Sequence, residues 1–169
     1  MNANQWPGHT TDSGIHVRVA DSQELRVKGQ DVRWDVFVIE QSCPLVLEID
    51  ARDQRDDVTH LVAIDQSTSQ VVGTCRIIPD GAHHYHLGRI AVRREYRSRK
   101  VGAALVQSMH EVVAQLTPTG QDAHVVLDAQ VQASGFYAKQ GYVETTGEIF
   151  QDAGIDHVEM GRIVHGCGH

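Results

Sequence analysis

Residues 87–105 read LGRIAVRREYRSRKVGAAL and combine an apolar strand, a basic turn and the start of a helix. The strand ends at Val92, and four arginines and one lysine follow before the helix opens at Val101. The first amide groups of a helix have no partner within the helix, and the helix dipole adds positive potential there. The sequence therefore predicts an anion site at this turn, suited to a phosphate or pyrophosphate.

The chain has 169 residues, a net charge of −7, and 41% hydrophobic and 22% charged residues. These values are typical of a single globular domain. The acidic balance argues against general nucleic-acid binding, and no apolar run approaches the roughly 20 residues that span a bilayer. The N-terminus does not resemble a secretory signal, and Cys43, Cys75 and Cys167 are far apart, as in reduced cytosolic proteins. We expect a cytoplasmic protein that binds neither nucleic acid nor membranes.

Turn signals and apolar patterns predict the secondary structure. Strands are expected over residues 15–19, 58–65, 71–78, 87–92, 124–128, 142–145 and 157–164. Helices are expected from a cap at Asp21 to Ile39 with a break near Gly29, over about 100–115, and from a cap at Ser134 to Gln140. This order predicts an α/β sandwich with a mixed, mostly antiparallel sheet.

The domain organisation follows from the same pattern. The polar residues 1–14 are expected to form a flexible N-terminal tail, and residues 15–164 a single domain. Residues 165–169 are expected to form a short C-terminal tail that is rich in glycine.

The basic turn resembles the acetyl-CoA motif of the GNAT superfamily of N-acetyltransferases, which reads Arg/Gln-x-x-Gly-x-Gly/Ala. Residues 97–102 read RSRKVG, so Lys100 stands where the motif has its first glycine. Glycine at that place allows the backbone to approach the pyrophosphate closely. We expect Lys100 to keep a helical backbone and to add positive charge.

More of the chain, over about residues 15–163, is similar to the ElaA-like subgroup of that superfamily. The matching stretches are RWDVFVIEQ at 33–41, THL at 59–61, GRIAV at 88–92, DAQVQA at 128–133, FY at 136–137 and DAGIDH at 152–157. The resemblance implies the GNAT fold, with helices on both faces of the sheet. It also implies transfer of an acetyl group from acetyl-CoA to a primary amine, by direct attack in a ternary complex. Small-molecule acceptors are favoured over proteins, and a homodimer is common in the family.

The resemblance further implies which residues hold the donor. Main-chain amides would bind the pyrophosphate, at Arg97, Arg99, Lys100, Val101, Gly102 and Ala103. The strand before the turn would splay from the strand at 124–128 and contact the acetyl and pantetheine groups through Ile90, Ala91 and Val92. Gln130 would hydrogen-bond the pantetheine amides, and Phe136 would belong to the same binding site.

Tyr137 is the candidate general acid, because the family places a tyrosine near the sulfur of coenzyme A. A phenol with a pKa near ~10 stays protonated at neutral pH and can donate to a thiolate. The alternative is a core aromatic residue beside Phe136.

The general base has three candidates. Alternation puts His86 on the strand face of Gly88, Ile90 and Val92, and a histidine titrates near neutrality. The alternative for His86 is an exposed histidine in the run at 83–86. Glu40 is the second candidate, with a surface or structural role as its alternative, and solvent is the third.

Arg33, Glu40 and His60 are the candidates for the acceptor site, and nearby Glu48, Asp50 and Asp53 give that region an acidic character. An acidic loop attracts a cationic amine, although a solvated charged loop explains the same residues.

Two other function classes are open on the sequence alone. One is a non-catalytic module on the same fold that binds acyl-CoA. The other is a metal-handling protein that uses His165, Cys167 and His169, although the short spacing argues against such a site, and we expect no metal. Cys43 and Cys75 lack an evident nucleophile arrangement with His and Asp.

Overall fold

The computed structural model describes residues 2–43 and 51–168. Within these ranges the strands are β1 (His9–Thr10), β2 (Ile15–Val19), β3 (Thr59–Asp65), β4 (Gln70–Pro79), β5 (His84–Val92), β6 (Asp122–Gln130), β7 (Val143–Asp152) and β8 (Ile155–His165). The α-helices are α1 (Gln23–Arg33), α2 (Val101–Leu116) and α3 (Ser134–Lys139), and a π-helical segment, Trp34–Glu40, continues α1. Short 3-10 helices cover Ala3–Gln5, Ala51–Gln54, Arg94–Arg99 and Val131–Ala133.

The strands form one sheet in the order β1-β2-β3-β4-β5-β6-β8-β7. Only the β5–β6 pair is parallel among the described strands. Helix α2 buries Leu105 and Met109 in the larger core on one face of the sheet. On the other face α1 and the π-helical segment bury Val32 and Val36 against Val62. The predicted class, a mostly antiparallel sheet with helices on both faces, is confirmed.

The cap of helix α1 lies one residue later than predicted, and the helix does not break at its glycine. Ser22, and not Asp21, caps the helix, because its hydroxyl accepts a hydrogen bond from the Leu25 amide at 3.2 Å. Gly29 stays helical because it lies against the sheet, where a Cβ atom would come within 3.0 Å of Thr74 Oγ1. The predicted break at Gly29 is wrong, and the helical geometry changes to π only at Trp34.

The N-terminal residues are part of the fold. Trp6 is only 8% exposed and packs in the larger core, and β1 pairs with β2. Burying a large aromatic ring outweighs the entropy of ordering a short polar segment. Within residues 2–14 the structure thus shows a paired strand and a buried ring where a flexible tail was expected.

The C-terminal residues are also held in place. The amides of Gly166, Cys167 and Gly168 donate hydrogen bonds to the main-chain carbonyls of Gln121, Ala114 and Thr117, at 2.8 Å in all three cases. These bonds satisfy backbone groups that a free tail would leave to water. At the start of α3, Ser134 donates to the Val131 carbonyl and does not cap the helix, which corrects the predicted cap.

No helix in the described ranges is both long enough and apolar enough to cross a bilayer.

Candidate active site

Strands β5 and β6 separate in the middle of the sheet. They pair in parallel only between His84–Leu87 and His124–Leu127. Beyond these residues β5 continues to Val92 and β6 continues to Gln130, but the two strands no longer pair with each other. A cavity of about 910 Å³ fills the gap. Eleven of the predicted site residues line it: His86, Ile90, Ala91, Val92, Arg97, Lys100, Gly102, Ala103, Gln130, Phe136 and Tyr137. The splay that the resemblance implied is therefore present.

Lys100 forms the junction between the basic turn and α2. Its backbone is left-handed, with φ 58° and ψ 27°, so the expectation that it keeps a helical backbone is wrong. Glycine is the residue that adopts this conformation without a steric cost, which explains the glycine of the resembled motif. Lys100 makes no side-chain capping hydrogen bond, so it leaves the first-turn amides of α2 to a ligand.

Arg97 is held by the π-helical segment. Its Nε donates to the Val92 carbonyl at 3.1 Å, and its two terminal nitrogens donate to the carboxylate of Glu40 at 2.5 and 2.8 Å. These hydrogen bonds lower the pKa of Glu40. A carboxylate that is engaged on both oxygens and acidified is a poor general base, so this geometry argues against Glu40 in that role. A second ion pair, between Asp35 and Arg93, joins the other end of the same segment to the turn.

Two predicted donor residues do not line the cavity. Arg99 lies over the ring of Tyr96 at 4.7 Å and pairs with Asp65 at 3.5 Å. Val101 is fully buried in the larger core. Only the main chain of these residues remains for the predicted phosphate contacts.

A β-bulge changes which face of β5 each residue occupies. Gly88 pairs with Arg76 and Ala91 pairs with Thr74, so two residues of β5, Arg89 and Ile90, stand opposite a single residue of β4. Arg89 has a φ of 51°, in the left-handed region.

The bulge separates His86 from two residues that were expected to share its face. Ile90 and Val92 pack on the α2 side with Leu87, and Ala91 packs on the α1 side. His86 lies on the α1 side, so the expected common face with Ile90 and Val92 is wrong.

Asp128 of β6 lies beside His86, with 3.5 Å between Oδ2 and the ring Nε2. Hydrogen bonding to His86 lowers the pKa of Asp128, and the positive charges of His157 and Arg52 act in the same direction. All four side chains line the cavity. Asp128 and His157 were missed in the sequence; the available signal was that Asp128 stands two residues before Gln130, on the same strand face.

Tyr137 reaches the cavity from α3. Its ring makes edge-to-face contacts with Phe136 at 5.1 Å and with Tyr142 at 6.0 Å between centroids. Burial raises the pKa of Tyr137 to about 12. Within the described part of the chain no residue hydrogen-bonds its hydroxyl, which leaves the proton available to a ligand.

Gln130 connects the two walls of the cavity. Its side-chain amide donates to Gln41 Oε1 at 3.0 Å and accepts from Gln132 at 3.0 Å. An amide in this place can exchange such partners for the amides of a ligand arm.

Arg33 and His60 lie elsewhere. Arg33 is 4% exposed and pairs with Asp53 at 2.8 Å, and Asp53 also binds Arg76 at 2.9 Å. His60 contacts the Asp53 carbonyl at 3.2 Å, and burial lowers the pKa of its imidazole. Arg33 and His60 border a separate cavity of about 100 Å³, so the structure does not place them in the cleft.

The remaining expected residues do not line the cleft or lie outside the described residues. Glu48 and Asp50 lie outside the described residues, as does His169. His165 hydrogen-bonds Asp122 at 2.7 Å, and Cys167 is exposed. Across residues 2–43 and 51–168, no three histidine, cysteine or acidic side chains are arranged to hold a metal ion.

Comparison with known proteins identifies the family. Residues 31–163 match the sequence model of the acetyltransferase (GNAT) domain. The chain belongs to the GNAT acetyltransferase family. It is therefore an acyltransferase, and members of this family use an acyl-CoA donor.

Named GNAT relatives cover most of the chain. It is 33% identical to the uncharacterized N-acetyltransferase YjcF of Bacillus subtilis over 142 residues. The aligned region covers 84% of this chain and 95% of that protein. It is 32% identical over 135 residues to ElaA of Escherichia coli, over 79% and 84% of the two chains.

Two solved GNAT structures agree with this assignment. The crystal structure of Escherichia coli ElaA matches with a TM-score of 0.76 and 27% identity, over 88% of this chain and 99% of that one. An acyl-CoA N-acyltransferase from Pseudomonas aeruginosa matches with a TM-score of 0.73 and 26% identity, over 88% and 97%. The resemblance to ElaA-like GNAT proteins is confirmed.

Proposed function

We propose that this GNAT protein moves an acetyl group from acetyl-CoA to the primary amine of a small molecule, by direct attack in a ternary complex. The observation that carries the proposal is the cleft between β5 and β6. It brings the basic turn, Tyr137 and His86 to one cavity of about 910 Å³. A cavity between two strands can hold the donor and the acceptor next to each other, so that the acetyl group passes directly from one to the other.

The residues present fit a CoA-type donor. The left-handed Lys100 turns the chain so that α2 starts at the cavity, where Gly102 and Ala103 line the wall. Their amides and the lysine charge suit a diphosphate. Gln130 lies further along the cleft and offers an amide to the pantetheine arm. Bound acetyl-CoA would supply the activated acetyl thioester.

The chain supplies the proton transfers. An amine arrives mostly protonated at neutral pH, and His86 takes its proton so that the lone pair can attack. Tyr137 gives a proton to the departing sulfur, which its raised pKa allows across the physiological range, and its phenolate recovers a proton from the attacking nitrogen as the amide forms. Both groups line the same cavity, so both can serve a donor and an acceptor bound there.

The acceptor end favours a cation. Asp152 lines the cavity, and a carboxylate there stabilises a positively charged amine as it approaches. The enclosed volume suits a small amine better than a protein surface.

The test is release of free thiol from acetyl-CoA in the presence of a panel of small amines. Acceptor-dependent release supports the proposal, and His86→Gln and Tyr137→Phe should each reduce it. Measurable binding of CoA without release for any amine would instead favour a non-catalytic acyl-CoA-binding module.

A further inference from the structure

We propose that Asp128 is a positioning residue that orients His86 and stabilises its protonated form. This inference rests on the proposed function, in which His86 accepts the proton of the amine. The contact of 3.5 Å between Asp128 Oδ2 and His86 Nε2 is the observation that carries it.

The geometry assigns a role to each ring nitrogen. A carboxylate beside Nε2 favours the tautomer that carries its proton there, so Nδ1 keeps the lone pair. None of the described residues hydrogen-bonds Nδ1 of His86. The amine proton moves to Nδ1, the amine nitrogen gains the free lone pair, and the carboxylate stays ionised and balances the new imidazolium charge.

The two residues are held in register by the sheet. His86 comes from β5 and Asp128 from β6. The last paired residues of these strands are Leu87, which follows His86, and Leu127, which precedes Asp128. Asp128 is also the cross-strand partner of Glu159 on β8. His86 pairs with Val126, so Asp128 lies diagonally opposite His86, one residue beyond the last paired position, where the strands begin to separate.

Other charges face this pair from the neighbouring elements. They are His157 and Glu159 on β8, Arg52 on the 3-10 helix Ala51–Gln54, and Arg76 on β4. Glu159 already accepts a hydrogen bond from Thr145 at 2.5 Å, and His157 Nδ1 lies 2.7 Å from the Ile155 carbonyl. Asp128 is therefore the carboxylate that contacts His86 among the described residues.

The experiment compares wild type, Asp128→Asn, Asp128→Glu, His86→Gln and the double variant Asp128→Asn/His86→Gln, with the best amine of the panel. Asp128→Asn should lower kcat about tenfold and move the acidic limb of the pH profile down by about one unit, because the imidazolium loses its counter-charge. The double variant should be no slower than His86→Gln alone. Asp128→Glu should recover part of the rate.

Asp122→Asn is the matched control. Asp122 lies on the same strand, contacts His165 at 2.7 Å, and does not line the cavity, so its removal should leave the pH profile in place. NMR titration of the His86 ring gives a second readout that does not need turnover, and its midpoint should fall when the carboxylate is removed in Asp128→Asn.

Three results would overturn the inference. One is an unshifted pH profile with only a raised KM for the amine, which would make Asp128 a substrate contact. Another is a further loss of rate when Asp128→Asn is added to His86→Gln. The third is an unchanged His86 midpoint. An inactive wild type with a shifted midpoint would instead overturn the proposed function and leave the pairing standing.

Discussion

The carboxylate of Glu40 accepts two hydrogen bonds from the guanidinium of Arg97, at 2.5 and 2.8 Å. The two residues are 57 positions apart in the chain. One closes the π-helical segment, and the other lies in the basic turn next to the predicted diphosphate site. The pair therefore places a negative charge close to where an anionic donor would bind.

Replacing Glu40 by Gln should lower the KM for acetyl-CoA, by roughly two- to fivefold at low salt, because an anion that repels the donor is removed. The acidic limb of the pH profile should stay where it is, since the proposed mechanism assigns the base to His86. Steady-state kinetics at two ionic strengths measure both. Glu24→Gln removes the same charge from an exposed pair with Lys28 and serves as the control. A pH profile that moved with Glu40→Gln would restore Glu40 as a base.

Replacing Lys100 by Gly should raise the free energy of unfolding by about 0.5–1 kcal/mol, because glycine relieves a left-handed backbone. Lys100→Ala removes the same charge but keeps the strain, and should not gain stability. Urea unfolding of both variants makes the comparison. Equal stabilities of the two would show that the backbone at this residue costs nothing.

Replacing Tyr137 by Phe should lower kcat about 100-fold, because the leaving sulfur loses its proton donor. The fold should be little affected, since the hydroxyl has no hydrogen-bond partner among the described residues. A pKa of about 12 keeps the phenol protonated, so Tyr137 should cause no loss of rate on the alkaline side up to about pH 10. Thiol release from pH 6 to 10 tests both statements. A wild-type rate for Tyr137→Phe would assign the proton to another group.

His110 should make stability fall on acidification. Burial lowers the pKa of its imidazole to about 4, with the charge of Arg162 acting in the same sense, while the unfolded chain titrates near 6.5. The unfolded state therefore binds more protons below pH 6.5, and the free energy of unfolding should drop by about 2 kcal/mol between pH 7 and pH 5. Urea unfolding at both values measures this. His110→Gln should show a smaller drop than wild type, and an equal drop would contradict the assignment.

Replacing Gly166 by Ala should destabilise the protein by about 1–3 kcal/mol, because a Cβ atom would lie 2.2 Å from the Pro118 carbonyl oxygen. Gly135→Ala is the control, since no atom lies within 4 Å of a Cβ there and alanine favours the helix. Thermal unfolding of the two variants should shift in opposite directions. A neutral Gly166→Ala would mean that the C-terminus detaches at no cost.

Local sequence patterns were sufficient to predict the strand, turn and helix of residues 87–105 and the class of the fold. The apolar strand, the basic turn and the helix of residues 87–105 are specified by neighbouring residues, and so they appear as expected. Burial of Trp6 was not predictable, because the core that it packs against is formed by residues far away in the sequence.

The site depended on contacts between distant segments. Asp128 meets His86 only because β5 and β6 pair in parallel, and Glu40 meets Arg97 only because the π-helical segment crosses the turn. The left-handed conformations of Lys100 and Arg89 were not predictable, because neither position holds the glycine that usually marks such a backbone.

The bulge at Arg89 has a consequence for how this chain tolerates insertions and deletions. Removing Arg89 would leave Gly88 opposite Arg76 and Ala91 opposite Thr74, so β5 would pair regularly with β4 and the residues after the deletion would keep their sides of the sheet. The strand should therefore tolerate the loss of one residue at this place, whereas a deletion elsewhere in β5 would move side chains to the opposite face.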